Sequence, residues 1–161
     1  VATIKRIDDV VELLGLIQPE NVIQDSFQAR RGAPVDDDDI GQGVKFNLGF
    51  DGGTLSTSFG FKFVMEDCSF YTDHTVVWAA EEQISISGAC MADFLERVAF
   101  MTVFPYFREA ISTFATRLRV PVPTVGLVRQ GTVDLQIDPV EMDEFLKDYT
   151  IGPPATEPED E

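Results

Sequence analysis

Between Val44 and Met65 the chain alternates apolar and polar residues on both sides of one short turn, and that pattern leaves little room for anything but a β-hairpin. Val44, Phe46, Leu48 and Phe50 alternate with Lys45, Asn47 and Gly49, the period of two that sends successive side chains to opposite faces of a strand. Asp51, Gly52 and Gly53 follow, a turn that tolerates positive φ. The return arm sets Leu55, Thr57, Phe59, Phe61, Phe63 and Met65 on one face against Ser56, Ser58, Gly60, Lys62 and Glu66 on the other. So aromatic a face cannot stay in water, so the sheet needs a cover on that side.

The flanking segments supply the rest of a layered α+β fold. Val22 to Arg30 alternates weakly, with Ile23, Phe27 and Ala29 on one side and Gln24, Ser26 and Gln28 on the other, as a half-buried strand would. Gly32 to Gln42 holds Pro34 and the run Asp36 to Asp39. It reads as a solvated loop, because the run lacks the alternating ligands, central Gly and terminal Glu of a calcium loop. After a turn region from Glu66 to Asp73, the stretch Thr75 to Ser87, with Trp78, Ile84 and Ile86, predicts a fourth strand and so an antiparallel meander. Gly88 ends that strand. Met91, Phe94, Leu95, Val98, Met101 and Thr102 then repeat at helical spacing, Pro105 breaks or kinks the pattern, and Tyr106, Ile111, Phe114, Ala115 and Leu118 continue it to Pro121 and Pro123. Arg117 and Arg119 lie in its last turn, the favourable end for cations.

Two further helices are predicted. Ile7, Val10, Val11, Leu14 and Ile17 form one stripe, widened by Leu13 and Leu16, of an N-terminal amphipathic helix stopped by Pro19. Asp138 as cap and Pro139 at the first position open a short C-terminal helix with Met142, Phe145, Leu146 and Tyr149 on one face. Before it, Leu127 to Ile137 reads as an extended excursion turning at Gln130 and Gly131. The expectation is thus a four-stranded antiparallel sheet covered by a long kinked helix and a short C-terminal one, with an added N-terminal helix over 1–19. Residues 1–152 form one domain, and the acidic, proline-containing 153–161 a disordered tail.

Charge and chemistry narrow the function classes. With 28 acidic and 12 basic residues the formal charge is −16, a field that repels nucleic-acid phosphates and anionic membranes. Cys68 and Cys90 are the only cysteines and His74 the only histidine, too few soft ligands for a metal site, and their spacing suits two reduced thiols of a cytosolic protein. No uninterrupted apolar run resembles a leader or a span, which points to the cytoplasm. No phosphate-binding glycine loop, nucleophile elbow or metalloprotease motif occurs, so no cofactor and no catalysis are expected. The best enzymatic grouping, His74 with Asp73 or Glu66, reads as solvated neighbours on a turn.

One local string is more specific. Phe104 to Glu109 reads Phe-Pro-Tyr-Phe-Arg-Glu, followed by Ala-Ile-Ser-Thr-Phe and, past a basic pair, Val-Pro-Val-Pro. This resembles the SecB family of export chaperones, in which a strand end of the Ile-x-Gly kind leads to a helix with a Phe-Pro-Tyr-x-Arg-Glu segment. The matching positions are Ile86, Gly88, Phe104, Pro105, Tyr106, Arg108 and Glu109. The element order agrees from about Asn21 to Tyr149. The resemblance implies an ATP-independent holdase assembled as a dimer of dimers, its long helices between sheets and its clients, unfolded or nascent proteins, in apolar grooves. On matching elements those grooves would use Phe46, Leu48 and Phe50 from the hairpin and Met142, Phe145 and Leu146 from the last helix; the same residues could equally be core or oligomer interface.

Two departures bear on the partner. Export members dock on the secretion motor partly through acidic residues of the sheet face, whereas the aligned strand here holds Val76, Val77 and Trp78, with Glu81 and Glu82 only later. The N-terminal helix is instead similar to SecB-like chaperones that protect an antitoxin in toxin-antitoxin systems. Three functions stay open: a general or export holdase, a dedicated chaperone of one partner such as an antitoxin, and a small-molecule-binding protein or enzyme with Phe59, Phe61 and Phe63 lining a closed pocket.

Overall fold

The computed structural model describes residues 3–32, 41–123 and 134–154. In chain order the elements are β1 (Lys5–Ile7), α1 (Val10–Leu14), β2 (Ile17–Arg31), β3 (Gly41–Asp51), β4 (Thr54–Val64), β5 (Cys68–Ala80), β6 (Ile84–Ile86), α2 (Gly88–Phe94), a π-helical turn (Leu95–Ala99), α3 (Phe100–Leu118) and α4 (Pro139–Leu146).

The hairpin forms where the alternation places it. Phe46 faces Phe59, Phe50 faces Leu55, and Asp51 pairs with Thr54 across Gly52 and Gly53. Both glycines have positive φ, 55° and 82°, as the tight turn matching the twist of a hairpin requires. The sheet is four-stranded and antiparallel, but its order is β2-β5-β4-β3, a Greek-key arrangement rather than a meander. The chain crosses from β2 at one edge to β3 at the other, and β2 pairs with β5.

Strand boundaries depart from the expected ones for definable reasons. β5 begins at Cys68, so the turn expected over Glu66–Asp73 shrinks to the residues between β4 and Cys68, closed by Met65 N–H donating to Cys68 O at 2.8 Å. Polar Thr72 and His74 are buried in β5, which hides its period from a reading by apolarity. Ile84–Ile86 does not extend β5; it forms β6 and pairs in parallel with β1. β2 begins before Pro19, which sits at a register shift in this edge strand, a place where a missing N–H is tolerated. A second shift around Asp25 reverses the strand's facing, so Phe27 and Ala29 pack on the core with Val22 while Ile23 turns to solvent.

The N-terminal helix expected over Ile7–Ile17 is only α1. Asp9 caps it, accepting from Val11 N–H at 2.7 Å, and Gly15 follows its end. Ile7 and Ile17 belong to strands, and Ile7 and Leu13 are fully buried. The segment is therefore part of the core and not an appendage.

The long helix runs on through Pro105, and its irregularity lies upstream. At the π-helical turn the Phe100 N–H donates to Leu95 O, one residue further than in an α-helix, which rotates everything after it by about 100°. Up to Ala99 the sheet-facing positions are Met91, Phe94 and Leu95; beyond it they are Phe100, Val103, Phe104, Phe107 and Ile111. Met101 and Thr102, expected to face the sheet, are displaced from that stripe, and Tyr106 is turned outward. The helix ends at Arg119 in the left-handed region, φ 56°, with the Arg117 guanidinium 5.0 Å over the Phe114 ring.

Aromatic rings fill the space between sheet and helix. Phe61 stacks on Phe107 at 5.1 Å, Phe59 meets Phe100 edge-on at 5.7 Å, and Trp78 meets Phe94 at 4.9 Å. Such pairs contribute about 0.5–1.5 kcal/mol each beyond area burial. Trp78 also donates its indole N–H to the buried Thr57 hydroxyl at 2.9 Å. The predicted closed pocket behind Phe59 and Phe61 is thus occupied by other side chains, and Phe63 is only half-buried. The loop with Asp36–Asp39, most of the excursion before Asp138 and the end of the acidic tail lie outside the described residues. Among the described residues no helix is long and apolar enough to cross a membrane.

Candidate functional site

Opposite the outer face of the sheet, β3 and α4 enclose a cavity of about 320 Å³ lined by Phe46, Asn47, Leu48, Gln136, Ile137, Asp138, Glu141, Met142 and Phe145. The β3 wall follows from alternation, which gives Phe46 and Leu48 the same face. The α4 wall follows from helix spacing, since Met142 and Phe145 are three residues apart. The helix starts sharply: Asp138 Oδ1 accepts from Val140 N–H at 2.8 Å and Glu141 N–H at 3.4 Å, with Pro139 next to the cap.

Contacts on the other side fix where α4 lies. Asp143 accepts from Gly88 N–H at 2.7 Å and from the Arg6 guanidinium at 3.0 and 3.1 Å. The Gly88 hydrogen bond, and then Arg6, hold its carboxyl below the usual carboxylate range. A Cβ on Gly88 would run into Pro139 O and the Asp143 backbone, so the missing side chain permits the close approach of α2 and α4. Below α4, Ile151 exchanges two hydrogen bonds with Ile84, at 2.8 and 2.9 Å, and Gly152 N–H donates to Gly53 O at 2.7 Å. Ahead of it, Leu135 N–H donates to Glu96 Oε1 at 3.0 Å.

Of the six groove residues picked out in the sequence, Phe46, Leu48, Met142 and Phe145 line this one cavity. Phe50 does not line it, but stacks on Tyr149 at 4.5 Å, and Tyr149 lies 5.4 Å from Phe145. The three rings prolong the apolar wall. Leu146 is buried in the core. Phe145 and Tyr149 remain 47% and 40% exposed and lie against one another, so they form a contiguous exposed patch beside the cavity. Ile137 and Tyr149 were not singled out as site residues, although Tyr149 falls four positions after Phe145, on the face expected of the helix; α4 ends at Leu146, and Tyr149 follows it.

The Phe104–Glu109 segment lies elsewhere. Phe104 is buried edge-on to Phe61 at 6.5 Å, while Pro105, Tyr106, Arg108 and Glu109 face outward, and Glu109 accepts from the Thr113 hydroxyl at 3.3 Å. His74 is not on a turn but buried in β5, 5.0 Å from Phe107 and 6.0 Å from Tyr106. Burial pushes its pKa down. Asp73 points to the opposite face of the strand and Glu66 is exposed between strands, so the enzymatic grouping is not assembled. Cys68 and Cys90 are free and buried. Among the described residues no three His, Cys, Asp or Glu side chains are placed to hold a metal ion. The cavity lining has two carboxylates and two amides but no imidazole, thiol or hydroxyl; its apolar walls can receive apolar side chains.

No protein-family model matches the chain, and no curated protein matches it in sequence. Among solved structures it is similar to the Mycobacterium tuberculosis Rv1957 SecB-like chaperone, determined in complex with a ChAD peptide from the Rv1956 HigA1 antitoxin. The TM-score is 0.58 at 12% sequence identity, over 74% of this chain and 92% of that one. At such identity the likeness is one of fold.

Proposed function

We propose that this chain, which has the fold of a SecB-like chaperone, is an ATP-independent holdase that binds unfolded or partly folded polypeptide segments in the groove between β3 and α4. The observation that carries this reading is the cavity walled by Phe46, Leu48, Met142 and Phe145, with the Phe145 and Tyr149 rings left open to solvent beside it. A large apolar side chain buried there contributes on the order of 1.5–3 kcal/mol without any sequence code, so a few such contacts give reversible holding.

The client we favour is a dedicated partner of the antitoxin kind, because the similar chaperone was determined with an antitoxin peptide. A role in export through a secretion motor is the less favoured form: the outward residues of β5 near its end are Val77 and Ala79, not carboxylates. The working unit is a dimer of dimers in the cytoplasm, with the outward side of α3 at Tyr106 and Arg108 toward other copies. No catalytic step is part of the reading.

The test is suppression of aggregation of a chemically unfolded, unrelated protein, without nucleotide, with oligomer mass recorded on the same sample. Suppression at near-stoichiometric amounts by a tetramer supports the general holdase. Failure of a folded preparation to protect that protein would point to the dedicated partner, and failure also to bind an antitoxin peptide containing aromatic residues would remove the groove's proposed role.

A further inference from the structure

A second feature lies on the other face of the sheet. There Gln28, Lys45, Lys62, Ser69, Phe70 and Tyr71 surround a depression of about 370 Å³. Its construction is visible in the strand register. Lys45 on β3 stands opposite Gly60 on β4, and Lys62 on β4 stands opposite Gly43 on β3. Each lysine thus faces a residue without a side chain, and the space over Gly43 stays open. Gly60 serves a second purpose: a Cβ there would lie 2.6 Å from the Tyr71 hydroxyl and 2.7 Å from Asp73 Oδ1. Without it, Tyr71 reaches over β4 and donates to Asp73 at 2.7 Å.

The charge of this depression runs against that of the chain. The chain has 28 acidic residues to 12 basic ones, and the ion pairs among the described residues are Lys5 with Glu12, Arg6 with Asp8 and Asp143, Arg97 with Asp93, and Lys147 with Glu144. Lys45 and Lys62, both exposed, pair with no carboxylate among the described residues. The nearby Asp73 has both oxygens engaged, Oδ1 by Tyr71 and Oδ2 by the Ser26 hydroxyl at 2.8 Å. Lysines on edge strands commonly serve to discourage pairing with other chains. That accounts for Lys45 on β3 but not for Lys62, since β4 is an inner strand.

We infer that this face docks an acidic polypeptide segment lying across β3 and β4, its carboxylates on the Lys45 and Lys62 ammonium groups. A protein segment fits better than a single phosphate. The N–H and C=O groups of β4 are spent on its two neighbouring strands, so no convergent main-chain donors remain for one compact anion. The cations are instead spaced along the sheet, where successive carboxylates of an extended chain can meet them. Because Lys45 and Phe46 point to opposite faces, the acidic segment and an apolar segment in the α4 groove can be held at once, and the inference stands whether or not the groove binds clients.

The probe is a short peptide of glutamates interrupted by glycine, carrying an uncharged dye, with the same peptide in glutamine as control, titrated against the full chain by fluorescence anisotropy. The Glu peptide is expected to bind and the Gln peptide not, with affinity falling between about 0.05 and about 0.3 M salt as screening grows. Lys45→Gln with Lys62→Gln should weaken binding about tenfold, Lys45→Arg with Lys62→Arg should retain it, and Phe145→Ala should leave it unchanged. Unchanged circular dichroism in the Gln pair separates lost charge from lost fold, and the Arg pair gives a readout that a merely structural role would not move. Absence of binding by the Glu peptide, equal binding by the Gln pair, or displacement by inorganic phosphate beyond that of chloride at equal ionic strength would overturn the inference.

Discussion

Phe145 keeps 47% of its surface in water while the next residue, Leu146, keeps 4%, and this adjacency separates binding from folding within one turn of α4. About half of a phenylalanine side chain is roughly 100 Å². Covering that area with a client contributes about 2.5 kcal/mol at the usual coefficient, or roughly sixtyfold in Kd. Phe145→Ala should therefore weaken binding of an aromatic-rich client segment by up to that factor, while the urea midpoint moves little. Leu146→Ala removes buried methyl groups and should destabilise by about 2–5 kcal/mol. The pair is measured by titrating a labelled client segment against each variant and by urea unfolding followed through Trp78, the single tryptophan. Unchanged client affinity in Phe145→Ala, or a loss of stability equal to that of Leu146→Ala, would refute the assignment of Phe145 to an open binding wall.

Three further outcomes follow from named contacts. Gly88→Ala forces a Cβ onto Pro139 O and the Asp143 backbone and should cost about 1–3 kcal/mol in urea unfolding; Gly15→Ala, whose Cβ meets only Glu12 O at 3.4 Å, should be nearly silent. His74 has its pKa lowered by burial, against opposing pulls from Asp25, Asp73 and Glu109. As pH falls through 6.5 the unfolded chain takes up the proton first, so stability should drop as the pH is lowered below about 7, and His74→Gln should flatten that slope in urea unfolding. Burial raises the Cys68 thiol and pushes Cys90 up to about 11, so a thiol reagent at about pH 8 should label neither in the native protein and both in denaturant; rapid native labelling would contradict the packing.

The parts of the fold legible in the sequence are those where one periodicity speaks alone. The β3–β4 hairpin, its Gly52-Gly53 turn and the capped start of α4 needed nothing beyond alternation, positive φ and an Asp-Pro pair. Of the residues expected from the resemblance to line a groove, Phe46, Leu48, Met142 and Phe145 line one cavity, but Leu146 follows Phe145 on α4 and packs inward, a distinction of a single helical position. Three things were hidden. The π-helical turn shifts the buried stripe by one residue, which no fixed period anticipates, so Tyr106 was read as inward when Phe107 takes that place. Thr72 and His74 carry polar atoms into the core and disguised the start of β5. The strand order depends on a long-range pairing of β2 with β5, and β1 with β6, which local patterns do not encode.

That last pairing sets a schedule for folding. Ile84 is held from one side by the register with Lys5, near the start of the chain, and from the other by hydrogen bonds to Ile151, near the end of the described domain. The same closing stretch places Gly152 against the Gly53 turn. During synthesis β6 and the α4 wall therefore wait for Ile151 and Gly152 to emerge before they can be locked, and ordering so distant a contact is slow. A chain interrupted shortly after α4 would possess the sheet, the long helix and every groove residue, yet lack the fastening that holds the wall against its neighbour.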